Sequence, residues 1–337
     1  MAIHQRFNLT PFCSALVFCQ DLQGRDLAVA LNKATFVLDA HRRPVVVQGE
    51  AGLVPGEEDV FWGEPDSSSL RLASEIVPSK PGTDIAVIGH AYGRGKKIVE
   101  AGFCVGSLEK VLRVQGERCW VGGYGSAIAG PVPFDKILLR YERAFGGSYL
   151  DEAKKKKIVY LANPVGVGLA LAAIARAPLP NFEYRGAPIT SVKDRPAPAG
   201  FGFIPTGWKP RADFAGTFDE TWMETRRPLL PKNCDERFFN AVPQDQVLRP
   251  GLRGGERVVL KNLHPRLEIL DFEIPRLALS ARFCIKERTQ EIAMVADTLL
   301  IEPDAERFSI TFRASCAIDD DVKFLKSVLI DHVESKP

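Results

Sequence analysis

The chain has 337 residues, of which 45% are hydrophobic and 26% charged, the composition of a globular protein with a sizeable core and not of a disordered chain. Lys and Arg outnumber Asp and Glu by only 44 to 42, so no strong field exists to hold nucleic acid or an anionic membrane. No stretch approaches the roughly 20 apolar residues of a membrane span, and the apolar patch at 12–19 lacks a basic leader and a cleavage site, so the protein is expected to stay in the cytoplasm.

A length prior of roughly 150 residues per domain gives about two. β architectures exceed that limit, and the chain reads as one unit over 1–337 with sub-regions at 1–145, 146–254, 255–318 and 319–333. Cysteines stand at 13, 19, 104, 119, 234, 284 and 316, with no CxxC pair, which predicts free thiols in a reducing compartment.

The first elements in chain order are short β runs. Cys13, Ala15, Val17 and Cys19 alternate onto one face of a strand, and Leu27, Val29 and Leu31 do so within residues 26–38. Residues 85–88, 97–105 and 110–115 continue an antiparallel meander, with Gly93-Arg94-Gly95 and Gly106-Ser107 as turns. The four lysines at 154–157 follow Asp151 and Glu152 and read as a solvated loop.

The middle third is different. Half of the 24 prolines fall between Pro164 and Pro250, and proline both fixes φ and removes a backbone donor. A regular sheet interior or a long helix is therefore excluded, and so long an irregular segment inside a domain is usually functional. The C-terminal part returns to alternation at Leu277, Leu279, Ala281, Phe283 and Ile285. Residues 287–291 read as a charged turn, and strands at 292–301 and 308–312 flank a turn at 302–306. Phe308, Ile310 and Phe312 are expected to face inward and Ser309, Thr311 and Arg313 outward. At 319–333, Val322, Leu325, Leu329 and Val333 recur at helical spacing behind Asp319, Asp320 and Asp321. The predicted class is mainly β, with antiparallel sheets as a sandwich or open barrel, a long ordered Pro/Gly/Arg-rich middle and a C-terminal amphipathic helix. Whether the two flanking β regions form separate sheets stays open at this level.

Catalytic patterns are sparse. Histidines at 4, 41, 90, 264 and 332 show neither HxH nor HExxH spacing, so neither a metal site nor a cofactor is predicted. No G-x-S-x-G elbow occurs, since Tyr124 stands two residues before Ser126. His90 has the parity to share a strand face with Asp84. Gly166 and Gly168 imitate a dinucleotide turn, but Leu171 replaces the third glycine and Asn163-Pro164 breaks the strand. Asp219 and Glu220 beside Trp222 resemble a carbohydrate site, or serve structurally by accepting hydrogen bonds from Arg211 or Arg226. What remains is Arg140, Tyr141, Glu142, Arg143, Arg195, Trp208, Arg211, Asp219, Trp222, Arg237 and Asn240. Tyr, Trp and Arg are the types that dominate binding hot spots, so these residues are candidates for partner contact or for bracing the segment.

A set of motifs runs through most of the chain: residues 8–12 (NLTPF), 31–36 (LNKATF), 63–71 (GEPDSSSLR), 80–92 (KPGTDIAVIGHAY), 139–147 (LRYERAFGG) and 163–166 (NPVG). It continues with 179–181 (LPN), 194–202 (DRPAPAGFG), 208–211 (WKPR), 215–222 (AGTFDETW) and 228–246 (PLLPKNCDERFFNAVPQDQ). In kind and order they resemble a bacterial family of unknown-function domains encoded beside type VI secretion effectors and VgrG. The resemblance implies a non-enzymatic adaptor or chaperone that holds an effector protein and helps to load it on the VgrG or PAAR spike. It brings no catalytic residues. The alternatives from other classes are a hydrolase using Asp219, Glu220 or His90, and a structural component of the secretion machine.

Overall fold

Alternation of apolar side chains sets the longest strands. A computed structural model describes residues 5–121, 127–151, 154–170, 176–318 and 322–333. The N-terminal part forms β1 (Gln5–Asn8), β2 (Cys13–Gln20), β3 (Asp26–Leu38) and β4 (Pro44–Val47). Next come β5 (Thr83–Val87), β6 (Ile98–Val105) and β7 (Leu108–Gln115). The middle supplies β8 (Phe182–Tyr184), the short helix α1 (Glu220–Thr225) and β9 (Val247–Leu248). The remaining strands are β10 (Arg257–Lys261), β11 (Ile269–Glu273), β12 (Leu279–Ile285) and β13 (Arg288–Ala293). They are followed by β14 (Val295–Glu302), β15 (Arg307–Ala317) and β16 (Leu325–His332).

Three sheets surround one core. The largest runs β9-β5-β14-β15-β3-β2, with β4 paired to the far half of β3. Its neighbours are antiparallel except β5 and β14. A five-stranded antiparallel sheet runs β8-β7-β6-β10-β11, and a four-stranded one runs β1-β16-β12-β13. Residues of all three share one hydrophobic cluster. Phe308 of β15 stacks on Phe36 of β3 and on Phe272 of β11, each with ring centroids 5.0 Å apart, which ties the two larger sheets together. The flanking β regions are therefore not separate sheets: β3 lies between β2 and β15, and each of these three sheets mixes strands from both ends of the chain. No helix of the described residues is long and apolar enough to cross a membrane.

The strand at 26–38 forms over the whole predicted range, and Leu27, Val29 and Leu31 pack with Val17, Ala15 and Cys19 in a satellite cluster on its outer face. All seven cysteines are free. Three expectations are overturned. Residues 325–332 form a strand and not a helix, because β16 fills the gap between β1 and β12 and buries Leu325, Val328 and Ile330. Tertiary pairing there outweighs the helical spacing; the acidic start at 319–321 lies outside the described residues. The charged run at 288–291 belongs to edge strand β13, and the turn contracts to Lys286, in the left-handed region at φ 54, and Glu287. Charge on such an edge blocks pairing with another chain. Finally, Ser309, Thr311 and Arg313 do not face solvent. All three are buried, because the chain returns over the outer face of β15.

The proline-rich middle supplies part of that cover. Phe203, Ala241 and Val242 pack with Ala86, Ile88 and Leu300 in a second cluster. Lacking a regular ladder, the segment satisfies its buried carbonyls with side-chain donors, as buried backbone polar groups must be satisfied. Gln246 Nε2 donates to the carbonyls of Ile85 (2.8 Å) and Phe201 (2.9 Å). Asn163 Nδ2 serves Tyr141 and Phe145, and Arg118 holds the carbonyl of Pro180.

Candidate functional site

Residues 211–240 leave the sheet and return to it. Arg211 anchors the outgoing side: it is buried, with Nε donating to the Phe238 carbonyl at 3.0 Å and Nη1 to that of Ile204 at 2.8 Å. Burial pulls its guanidinium below the ordinary arginine value, while the charges of Asp84 and Asp59 act the other way. Asn240 anchors the return, with Nδ2 2.7 Å from Asp84 Oδ1, and the next backbone amide, of Ala241, donates to Asp84 Oδ2 at 2.9 Å. Between these anchors Arg237 makes a forked pair with Asp235 and lies 4.2 Å over the Phe214 ring.

The tip is the helix α1. Asp219 is its N-cap and accepts from Trp222 N at 2.8 Å, the usual way to satisfy a helix's first free donors. The carboxylate is thus held by a backbone amide and not by Arg211 or Arg226. Arg226 instead donates to the carbonyls of Leu230 and Leu22, the latter in the β2–β3 turn. The tip leans on that turn closely enough that a Cβ on Gly24, at φ +87, would lie 2.7 Å from Leu229 Cδ1. Trp222 donates Nε1 to the Leu229 carbonyl at 2.8 Å and meets Phe218 edge to face at 4.8 Å. Phe218 and Met223 remain 53% and 59% exposed. A groove of about 310 Å³ opens beside them, lined by Asp219, Thr221, Trp222, Thr225 and Lys232 among others. The result is an apolar knuckle with a polar groove on a rigid stalk.

The other predicted residues do not converge on it. Tyr141 and Trp208 are buried against each other, ring centroids 5.8 Å apart. Glu142 accepts from the amide and hydroxyl of Ser69 at 2.8 and 2.6 Å. Arg143 pairs with Glu117 and Asn181, and Arg140 is half-buried with Nε unpartnered. Arg195 is exposed and holds the carbonyls of Val192, Asp194 and Ala170. Phe218 and Met223 escape sequence reasoning, because one apolar residue before a six-residue helix and one within it carry no periodicity.

His90 and Asp84 part company. Gly89, at φ 155, ends the register of β5, and His90 lies on a separate short strand paired with Lys136–Leu138. Its Nδ1 is 2.6 Å from Asp304 Oδ2, and Tyr92 donates to Asp304 Oδ1 at 2.7 Å. Burial first, and then the Asp304 carboxylate, raises the Tyr92 hydroxyl above its ordinary value. Gly166 is a packing glycine: a Cβ there would meet Asn163 Nδ2 at 2.4 Å and the Ala144 carbonyl at 2.7 Å. Tyr124, Ser126 and Leu171 lie outside the described residues. Among the described residues no three His, Cys, Asp or Glu side chains gather as a metal site.

The sequence profile of a family described as an uncharacterized protein conserved in bacteria, DUF2169, matches residues 23–313. No curated protein and no solved structure shows significant similarity to the chain.

Proposed function

As the chain belongs to the bacterial family DUF2169, we propose that it is a non-enzymatic cytoplasmic adaptor of type VI secretion, which binds an effector protein and helps to load it on the VgrG or PAAR spike. The observation that carries the reading is the knuckle of Phe218, Trp222 and Met223 on the stalk anchored by Arg211 and Asn240. Aromatic and Met side chains are the types that interfaces concentrate. A tip that is already ordered loses little further entropy on binding. The secretion context is what the resemblance implies, and one of the motifs that carry it, residues 215–222, builds part of the knuckle.

Co-expression with the effector encoded beside this gene, followed by pull-down, tests the reading. A double variant Phe218→Asp, Met223→Asp is expected to lose the complex, while Leu161→Asp, at another exposed apolar position, retains it. An effector that stays soluble and is secreted without this chain sinks the proposal. The His90–Asp304 pair favours a second reading, in which an oriented imidazole acts as a base. Loss of a hydrolytic activity in His90→Ala with effector binding intact would select it.

A further inference from the structure

The outer face of the largest sheet carries a row of polar residues in direct cross-strand register. Asp84 of β5 opposes Thr298 of β14, Thr298 opposes Thr311 of β15, and Thr311 opposes Lys33 of β3. All four are buried. Two side chains from the segment before β5 complete the row. Lys80 Nζ donates to Asp84 Oδ2 at 2.8 Å and to Thr298 Oγ1 at 2.7 Å. Glu75 Oε2 accepts from Lys33 Nζ at 2.9 Å and from Gly56 N at 2.6 Å, and its other oxygen accepts from the Thr311 hydroxyl.

Donors and acceptors in this row do not balance. The carboxylates are spoken for: Asp84 takes Lys80, Asn240 and the amide of Ala241, Glu75 takes the three donors above, and Glu302 is paired with Arg307. An ammonium has three donors and a guanidinium five. Among the described residues, Lys33 therefore keeps two N–H groups without an acceptor and Lys80 keeps one. Arg71 has no carboxylate partner among the described residues and lies over the Trp62 ring at 5.2 Å. With the paired Arg307, these three cations line one partly open pocket of about 190 Å³, whose wall also includes Leu72, Phe203 and Leu300. Lys33 and Lys80 are the buried members, and buried cationic donors are costly unless an acceptor meets them. Spent acceptors, surplus donors and an apolar wall together describe the complement of an anionic head with a short hydrocarbon body.

We propose that this cavity binds a small organic carboxylate, its carboxylate received by Lys33, Lys80 and Arg71 and its apolar part packed on Phe203 and Leu300. Calorimetric titration of the full chain with butyrate, with its neutral amide butyramide and with inorganic phosphate, tests it. Butyrate is expected to bind saturably and butyramide not at all. Arg71 is exposed and its side chain makes no hydrogen bond among the described residues, so Arg71→Gln is expected to leave the fold intact. That variant should weaken butyrate about tenfold, the loss of one charged hydrogen bond. Lys33→Met, checked for folding by circular dichroism, should weaken it at least as much. Absence of saturable butyrate binding, equal binding of butyramide, preference for phosphate, or wild-type affinity in Arg71→Gln each overturns the proposal. None of these results bears on effector binding.

Discussion

Lys110 shows how one buried side chain sets a pH response. It projects from β7 and is buried, donating to Gln246 Oε1 at 2.7 Å and to Asp245 Oδ1 at 3.0 Å. Burial lowers its ammonium from 10.5 to about 8, although Asp245 opposes the shift. Between those values the unfolded chain holds the proton and the folded chain does not. Stability therefore rises with pH through that window, by about 3 kcal/mol for this group. In urea unfolding at pH 7 and at pH 10.5, the stability of the wild type relative to Lys110→Met should rise by about 3 kcal/mol. The thiols of Cys19 and Cys234, pushed up to about 11 by burial, pull the other way above pH 9. They act equally in both chains, so the difference isolates Lys110. Sequence reading could find the strand but not the buried charge, because Lys110 finds its partners about 135 positions away.

At the scale of elements, legibility followed how much of the answer lies in local pattern. β3 was readable to its ends because thirteen residues alternate between two buried faces. β16 was not, because Val322, Leu325, Leu329 and Val333 fit a helical stripe while the strand buries Leu325, Val328 and Ile330. The two readings part at adjacent residues. Ile330→Ala should cost about 2–4 kcal/mol in urea unfolding, as a fully buried truncation does, and Leu329→Ala, half-exposed in the strand, less than half of that; the reverse order would restore the helix. The same limit hid the polar row. Ser309, Thr311 and Arg313 alternate with Phe308, Ile310 and Phe312 as a solvated face would, and only the returning chain at Glu75, Val77 and Pro78 turns that face into interior. The knuckle was half legible: Asp219 and Trp222 were singled out, but their role as cap and anchor appears only in the folded loop.

For the whole molecule, the sharing of sheets between the two ends of the chain matters most. Neither residues 1–145 nor residues 255–337 complete any of the three large sheets: β3 lacks β15 in the first, and β15 lacks β3 in the second. Expressed alone, each fragment should be unfolded by circular dichroism. The full chain should unfold in one transition that near- and far-ultraviolet signals report together. Two separate transitions would contradict a single shared core.

The β3–β15 pairing also constrains biosynthesis. About 270 residues separate Leu38 from Arg307, so at roughly 5–20 residues per second the ribosome needs on the order of 15–55 s to deliver the partner. Throughout that interval β3, with apolar residues on both faces, is on the nascent chain without the strand that pairs along its whole length. The protein proposed to shelter another chain thus spends most of its own synthesis in need of shelter.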